Sequence, residues 1–268
     1  MKLTLFNGKI NYMTRRSRRI LFYSAIAVFL VLSYVVILYA QGYKYSFSEN
    51  KFFETGAIYL KVNTEADVYL DDKLLGNTSF FGNSYRIEGL LPDKYEIKVQ
   101  KDGFSSWQKS ATVDEGFVSE FSKIFLISQD AKGQEELAEE ITLIFSVRSS
   151  ASEPFAVKKG VLSTSDKTPE KIATNVKGFA VSKDRNKLAW WTANEVWVMW
   201  LNDSNYQPYH KKGDKELITR FSTQIKKVAW FRDEDHLIID SNGYKILEID
   251  TRGGINITEV QSPASWPL

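Results

Sequence analysis

The sequence predicts a mainly β protein behind a single N-terminal transmembrane helix, and three observations predict it. Residues Ile20 to Ala40 form an uncharged apolar run directly after four arginines. Residues 56–128 break into short alternating strands separated by turn residues. Beyond residue 140, a strand–turn–strand pattern recurs at a spacing of 49 residues. The expected order is a basic tail (1–19), the transmembrane helix (20–40), a small β-sandwich (56–128), a linker (129–140) and a repeated β region (141–268).

With 43% hydrophobic and 25% charged residues, the composition is that of a globular chain. A net charge of only +2 gives no broad cationic footprint, so no nucleic-acid partner is expected. The charge is uneven. Residues 1–19 hold Lys2, Lys9, Arg15, Arg16, Arg18 and Arg19 and no acid, which leaves the rest of the chain at −4. The chain has no cysteine, which excludes disulfides, thiolate nucleophiles and cysteine-ligated metals.

The basic tail and the apolar run together define the first element. The 21 residues from Ile20 to Ala40 reach ~31 Å as a helix, the hydrocarbon thickness of a bilayer. Tyr23 lies near one end, with Tyr39 and Tyr43 near the other, where an aromatic belt places such rings. Arg15, Arg16, Arg18 and Arg19 precede the run, while Lys44, Glu49, Lys51 and Glu54 cancel after it. The positive-inside rule then places residues 1–19 in the cytoplasm and residues 41–268 outside the cytoplasmic membrane. A cleaved signal has a shorter apolar core of ~7–15 residues and a small-x-small exit. Leu38 stands where that small residue belongs, so the reading is an anchor.

The strands of residues 56–128 follow period two. Ile58, Leu60 and Val62 alternate with Tyr59 and Lys61, and Tyr95, Ile97 and Val99 alternate with Glu96, Lys98 and Gln100. Short strands with turn signals every ~8–12 residues predict a sandwich or barrel. The stretches "KVNTEADVYLDDKLLGNT" and "LLPDKYEIKVQKDGFSSWQK" resemble the PEGA domain, a small β-sandwich-like unit of bacterial and archaeal envelope proteins. The resemblance implies that Leu91-Pro92-Asp93 opens a central strand, that Gly103 turns with φ > 0, and that Phe104 and Trp107 cap the core. It also implies a surface or adaptor role in place of catalysis. The Pro-Glu-Gly-Ala signature is reduced here to Thr64-Glu65-Ala66, Asp72 replaces the hairpin glycine, and the loop Ser79 to Ser84 replaces the usual proline. Asp tolerates the left-handed region better than most residues, so the hairpin is expected to survive.

Phe80, Phe81, Tyr85 and Trp107 form the candidate contact surface, since loop aromatics stack on sugar rings or grip a protein partner. The competing reading has them filling the lid of a small core.

Residues 128–140 are polar and acidic, hence the linker or a short surface helix. Beyond them, "GFAVSKDRNKLAWW" and "VAWFRDEDHLIID" align at the 49-residue shift, Asp184 with Asp233 and Leu188 with Leu237. Each is followed by a further strand, "NEVWVMWL" or "GYKILEID". This pattern resembles blades of TolB-like and WD-repeat β-propellers. Residues 131–268 number 138, room for about three blades where a closed propeller needs ~4–8. The expectation is an incomplete propeller: sequence beyond Leu268 completes it, which is the favoured reading and leaves open strand edges, or several copies complete a ring, or the strands form an open sheet.

No catalytic, cofactor or metal site is expected. His210 and His236 lack metal-ligand spacing to a carboxylate, and His236 reads as a surface residue beside a solvated turn, Asp233 to Asp235. Nucleophile-elbow, zincin, P-loop and dinucleotide fingerprints are absent. Trp190, Trp191, Trp197, Trp200 and Trp230 read as inter-blade core. The functional expectation is a non-enzymatic, membrane-anchored envelope protein whose outer β domains bind or scaffold an envelope protein or a cell-wall glycan. The alternative is a fragment of an envelope hydrolase or larger propeller protein whose active part lies beyond residue 268.

Overall fold

The structure, a computed structural model, describes residues 13–79, 81–146 and 154–261. Among these, strands outnumber helices twenty to two, so the chain is mainly β. It divides into two compact units, Met1–Thr55 and Gly56–Leu268.

The first unit holds helix α1 (Arg15–Ala40) and a hairpin of β1 (Tyr43–Ser46) and β2 (Lys51–Glu54). Thr14 caps α1, its hydroxyl accepting from the Ser17 N–H at 3.2 Å. Its first turn contains no acid and bears the arginines Arg15, Arg16 and Arg18, with Arg19 following, an arrangement the helix dipole disfavours. None of the side chains of α1 is buried. Ser24 satisfies its hydroxyl within the helix, donating to the Leu21 carbonyl at 2.9 Å. The helix is long and apolar enough to cross a membrane, a property that signal sequences share.

The second unit opens with β3 (Gly56–Val62), β4 (Asp67–Leu70), β5 (Lys73–Asn77), β6 (Ser84–Leu90), β7 (Asp93–Gln100), β8 (Trp107–Val113) and β9 (Val118–Ile124). These make one sheet of order β6-β3-β9 and another of order β5-β4-β7-β8. β3 and β9 run parallel and the remaining pairs antiparallel. Ile58, Leu60, Val68, Ile97, Val99, Trp107 and Phe121 from the two sheets share one core. The expected alternation holds in β7, where Ile97 and Val99 are buried and Lys94 and Glu96 exposed. Asp71 and Asp72 turn the β4–β5 hairpin at φ of 48° and 62°, and the Asp71 carboxylate accepts the Glu96 N–H at 2.9 Å. Gly103 has φ of 74°, Phe104 packs against the core and Trp107 is inside it.

Helix α2 (Ala131–Ser146) stands where a linker or a short surface helix was expected. Gln134, Leu137, Ala138 and Ile141 recur at helical spacing and are buried, so the acidic stretch is one face of an amphipathic helix that runs past residue 140.

Three antiparallel meanders follow. The first is β10 (Phe155–Lys158), β11 (Val161–Thr164) and β12 (Lys171–Thr174). The second is β13 (Gly178–Val181), β14 (Lys187–Trp191), β15 (Glu195–Trp200) and β16 (Lys215–Arg220). The third is β17 (Lys227–Trp230), β18 (His236–Asp240), β19 (Tyr244–Glu248) and β20 (Ile257–Val260). The 49-residue repeat is repeated in the backbone. Arg185 and Glu234, at equivalent positions, both turn with φ of 59°. The N–H groups of Ser182 and Phe231 close the same turn onto the carbonyls of Lys187 and His236.

The meanders stack in series because β14 and β18 are buried on both faces. Leu188 and Trp190 of β14 pack with Phe155 and Leu162 of the first meander. Ala189 and Trp191, on the other face, pack with Val228, Leu237 and Ile239 of the third. Ile238 and Ile246 of the third turn outward onto Leu137 and Ile141 of α2. No closed ring of sheets forms among the described residues. The helix thereby covers the outer face of the third meander.

Candidate functional site

A cluster of ion-paired side chains lies where β8 and β9 meet the third meander and the segment after β15. Lys109 occupies a core-facing position of β8, between Trp107 and Ala111, and is 1% exposed. Its ammonium lies 3.3 Å from Glu248 Oε1 and 3.7 Å from Asp250 Oδ1, and it donates to the Asp250 carbonyl. The second oxygen of Glu248 accepts from Trp107 Nε1 at 2.9 Å and from Asn256 Nδ2 at 3.0 Å. Both oxygens of this buried carboxylate thereby have partners.

Arg252 continues the joint. Its guanidinium donates to Asp250 Oδ2 at 2.7 Å, to the Glu120 carbonyl of β9 at 2.7 Å and to Gln207 Oε1 at 2.9 Å. Gln207 in turn donates to the Val118 carbonyl at 2.9 Å. Burial alone would raise the Asp250 pKa, but the bond from Arg252 and the charge of Lys109 hold it below the usual carboxylate value. The backbones touch as well: the Ser110 N–H donates to the Gly253 carbonyl at 3.0 Å. A Cβ on Gly253 would lie 1.9 Å from the Ser110 carbonyl oxygen, so only glycine fits there.

A second set surrounds Asp235, a buried carboxylate. Lys187 Nζ approaches it at 3.1 Å and Lys123 Nζ at 3.3 Å, and the Tyr206 hydroxyl donates to it. Burial, then the charge of Asp235, pushes the Tyr206 phenol well above its ordinary value. Lys187 also donates to Tyr206 Oη at 3.0 Å and to the Glu234 carbonyl at 2.9 Å. The imidazole of His210 stacks on Trp200 with centroids 3.5 Å apart and an interplanar angle of 15°. Burial depresses its pKa despite Glu216, whose nearest oxygen is 3.8 Å away.

Tyr206, His210, Lys187 and Asp235 line a cavity of about 20 Å³. That space holds one or two water molecules, against the ~300–1,000 Å³ of a small-molecule pocket. An open groove of about 420 Å³ lies beside the joint, lined by Ser110, Thr112, Phe117, Ser119, Gln207 and Arg252. Phe117 at this groove is 70% exposed.

His236 and its turn depart from the sequence reading. His236 is buried, with Nδ1 2.6 Å from Asp233 Oδ2, and Asp235 is buried too, so the turn is not solvated. The cause is Phe125, whose ring packs at 5.1 Å on Phe231 and at 5.8 Å on His236. Burial opposes protonation of His236, but Asp233, with help from Glu248 and Asp235, outweighs it and raises the pKa. Asp233 falls below its ordinary value, the bond from His236 overcoming its burial. Asp233 thus fixes one ring nitrogen of His236 inside the fold. Among the described residues, no group of three His, Asp or Glu side chains is placed to hold a metal ion.

The expected contact surface does not come together. Phe81 is 88% exposed, but Tyr85 packs on the core with its ring against Gly76. Trp107 is buried and committed to Glu248, which removes it from any surface. Phe80 lies outside the described residues. Phe81 and Phe117 sit at opposite ends of β3, a strand of seven residues and ~20 Å. Arg15, Arg16, Arg18 and Arg19 lie at the exposed start of α1. The joint itself escaped the sequence reading, although Lys109 in "WQKSATV" breaks an otherwise apolar period-two face. No protein-family model matches the chain, and no curated protein matches it.

Proposed function

We propose that this is a non-enzymatic membrane protein that holds or recognises a cell-envelope component through its outer β region. In this reading α1 is the anchor, with Arg15, Arg16, Arg18 and Arg19 on the cytoplasmic side and the second unit outside. The first seven strands of that unit act as a PEGA-like sandwich, and the meanders act as propeller-type blades that support it.

The observation that carries the reading is the joint. Its charged groups satisfy one another, and the cavity they line admits little more than a water molecule. Their role is to lock the two β regions together. What faces solvent instead is an aromatic side chain, Phe117, beside an open groove with Gln207 and Arg252 on its wall. An aromatic ring flanked by amide and guanidinium donors suits a sugar face or a polar peptide segment.

The test is co-sedimentation of the detergent-solubilised protein with isolated cell wall and with protein-depleted wall, alongside Phe117→Ser and Phe81→Ser. Binding to both materials that falls at least tenfold in Phe117→Ser identifies the groove as a glycan site. Loss in Phe81→Ser alone moves the contact to the other end of β3. Binding restricted to untreated wall makes the partner a protein, and no binding to either removes the envelope-binding function.

A further inference from the structure

We infer that the β1–β2 hairpin is a second membrane contact, seated in the lipid headgroup layer beside the outer end of α1; this rests on the reading of α1 as an anchor. Depth comes first. Tyr39, in the last turn of α1, packs edge-on against Phe52 of β2 with centroids 6.2 Å apart at 88°. The hairpin base is closed onto the chain leaving the helix, because the Thr55 N–H and hydroxyl both donate to the Gly42 carbonyl, at 3.0 and 2.7 Å. Since the apolar run ends at Ala40, a ring in contact with Tyr39 shares the depth of the acyl–headgroup boundary.

Composition points the same way. Tyr45 packs edge-on against both Phe47 and Phe52 at 5.1 Å. Phe47, at the hairpin end, is nevertheless 86% exposed. Lys51 lies over the Phe53 ring at 4.1 Å and also pairs with the exposed Glu49 at 3.5 Å, keeping an ammonium beside aromatic surface. Amphipathic rings with cations alongside are what the interface selects, the rings among the glycerol groups and the ammonium toward phosphate. Stability supplies the third argument. The hairpin has four residue pairs and, among the described residues, no third strand. Such a hairpin is marginal in water, whereas the interface rewards a closed set of backbone hydrogen bonds.

Because the chain has no cysteine, one introduced cysteine gives one label. The full chain is reconstituted in vesicles of phosphatidylcholine with phosphatidylglycerol, with a nitroxide at Glu49→Cys, Leu30→Cys or Asp72→Cys. Collisions with oxygen and with a water-soluble nickel chelate are then compared. The expected result is a lipid-phase signature at 49, shallower than at 30 and distinct from the aqueous 72, that shifts toward water when Phe47→Ser is added. An aqueous signature at 49 with 30 in lipid leaves the anchor standing and overturns the hairpin contact. Shielding of 49 from both reagents overturns it too, in favour of a protein neighbour. An aqueous signature at 30 refutes the anchor, and the hairpin contact with it.

Discussion

Replacing Lys109 with methionine tests whether the buried joint holds the second unit together. The ammonium lies 3.3 Å from Glu248 and 3.7 Å from Asp250. Each attraction is worth ~5 kcal/mol gross at an effective dielectric of ~20, offset by a desolvation cost of several kcal/mol per ion. Lys109→Met leaves the buried Glu248 and the half-buried Asp250 without that cation. Glu248 keeps its bonds from Trp107 and Asn256, and Asp250 keeps Arg252. The expected loss therefore falls at the low end of the range for breaking a buried pair, ~3 kcal/mol. Glu248→Gln in the same background removes the stranded charge while its amide oxygen still accepts from Trp107. The double variant should regain ~2 kcal/mol relative to the sum of the singles. Urea titration of the detergent-solubilised protein, followed by tryptophan emission, measures all four species. A Lys109→Met loss below ~1 kcal/mol with no coupling would refute the argument, because it would mean that the joint is wet and its charges are interchangeable with water.

Two further outcomes follow from the same surface. Gly253→Ala places a methyl group against the Ser110 backbone at a φ of 64°, so the loop must leave β8. The expected cost is ~2–4 kcal/mol from left-handed strain and the lost Ser110 bond, and an unchanged midpoint in the same titration would contradict it. His210, its pKa depressed by burial, contributes stability that is fully present above ~6.5 and is lost as pH falls from there through its folded value. His210→Phe keeps the stack on Trp200 and removes that loss, so the drop in Tm between pH 7 and pH 5 should shrink. His236, with its raised pKa, has the opposite sign: its contribution is present below ~6.5 and lost as pH rises, so it cannot imitate the result. Identical pH slopes in the two proteins would remove His210 from the account.

Patterns of period two and 3.6 need only neighbours along the chain, and those were legible. The apolar run gave a helix, Tyr95-Ile97-Val99 gave the faces of β7, and the 49-residue repeat reappears as matched turns at Arg185 and Glu234. The buried helix face of α2 was less legible. Leu137, Ala138 and Ile141 sit among glutamates, and their burial depends on a meander that begins only at Lys227.

The chain's own order thus determined a mainly β protein with one apolar helix near its start and a repeated unit near its end. Only tertiary packing decided what the strands bury. Two-faced strands such as "KLAWW" and "HLIID" demand a partner on each side, and α2, together with Phe125 and Ile127, supplies the last one. The same packing turned His236, Asp235 and Lys109 from plausible surface residues into an internal ionic joint. A charged residue in a strand reads as solvent-facing until another part of the fold removes its water. Whether that happens, and whether a counter-charge arrives with it, is fixed by contacts that no local pattern encodes.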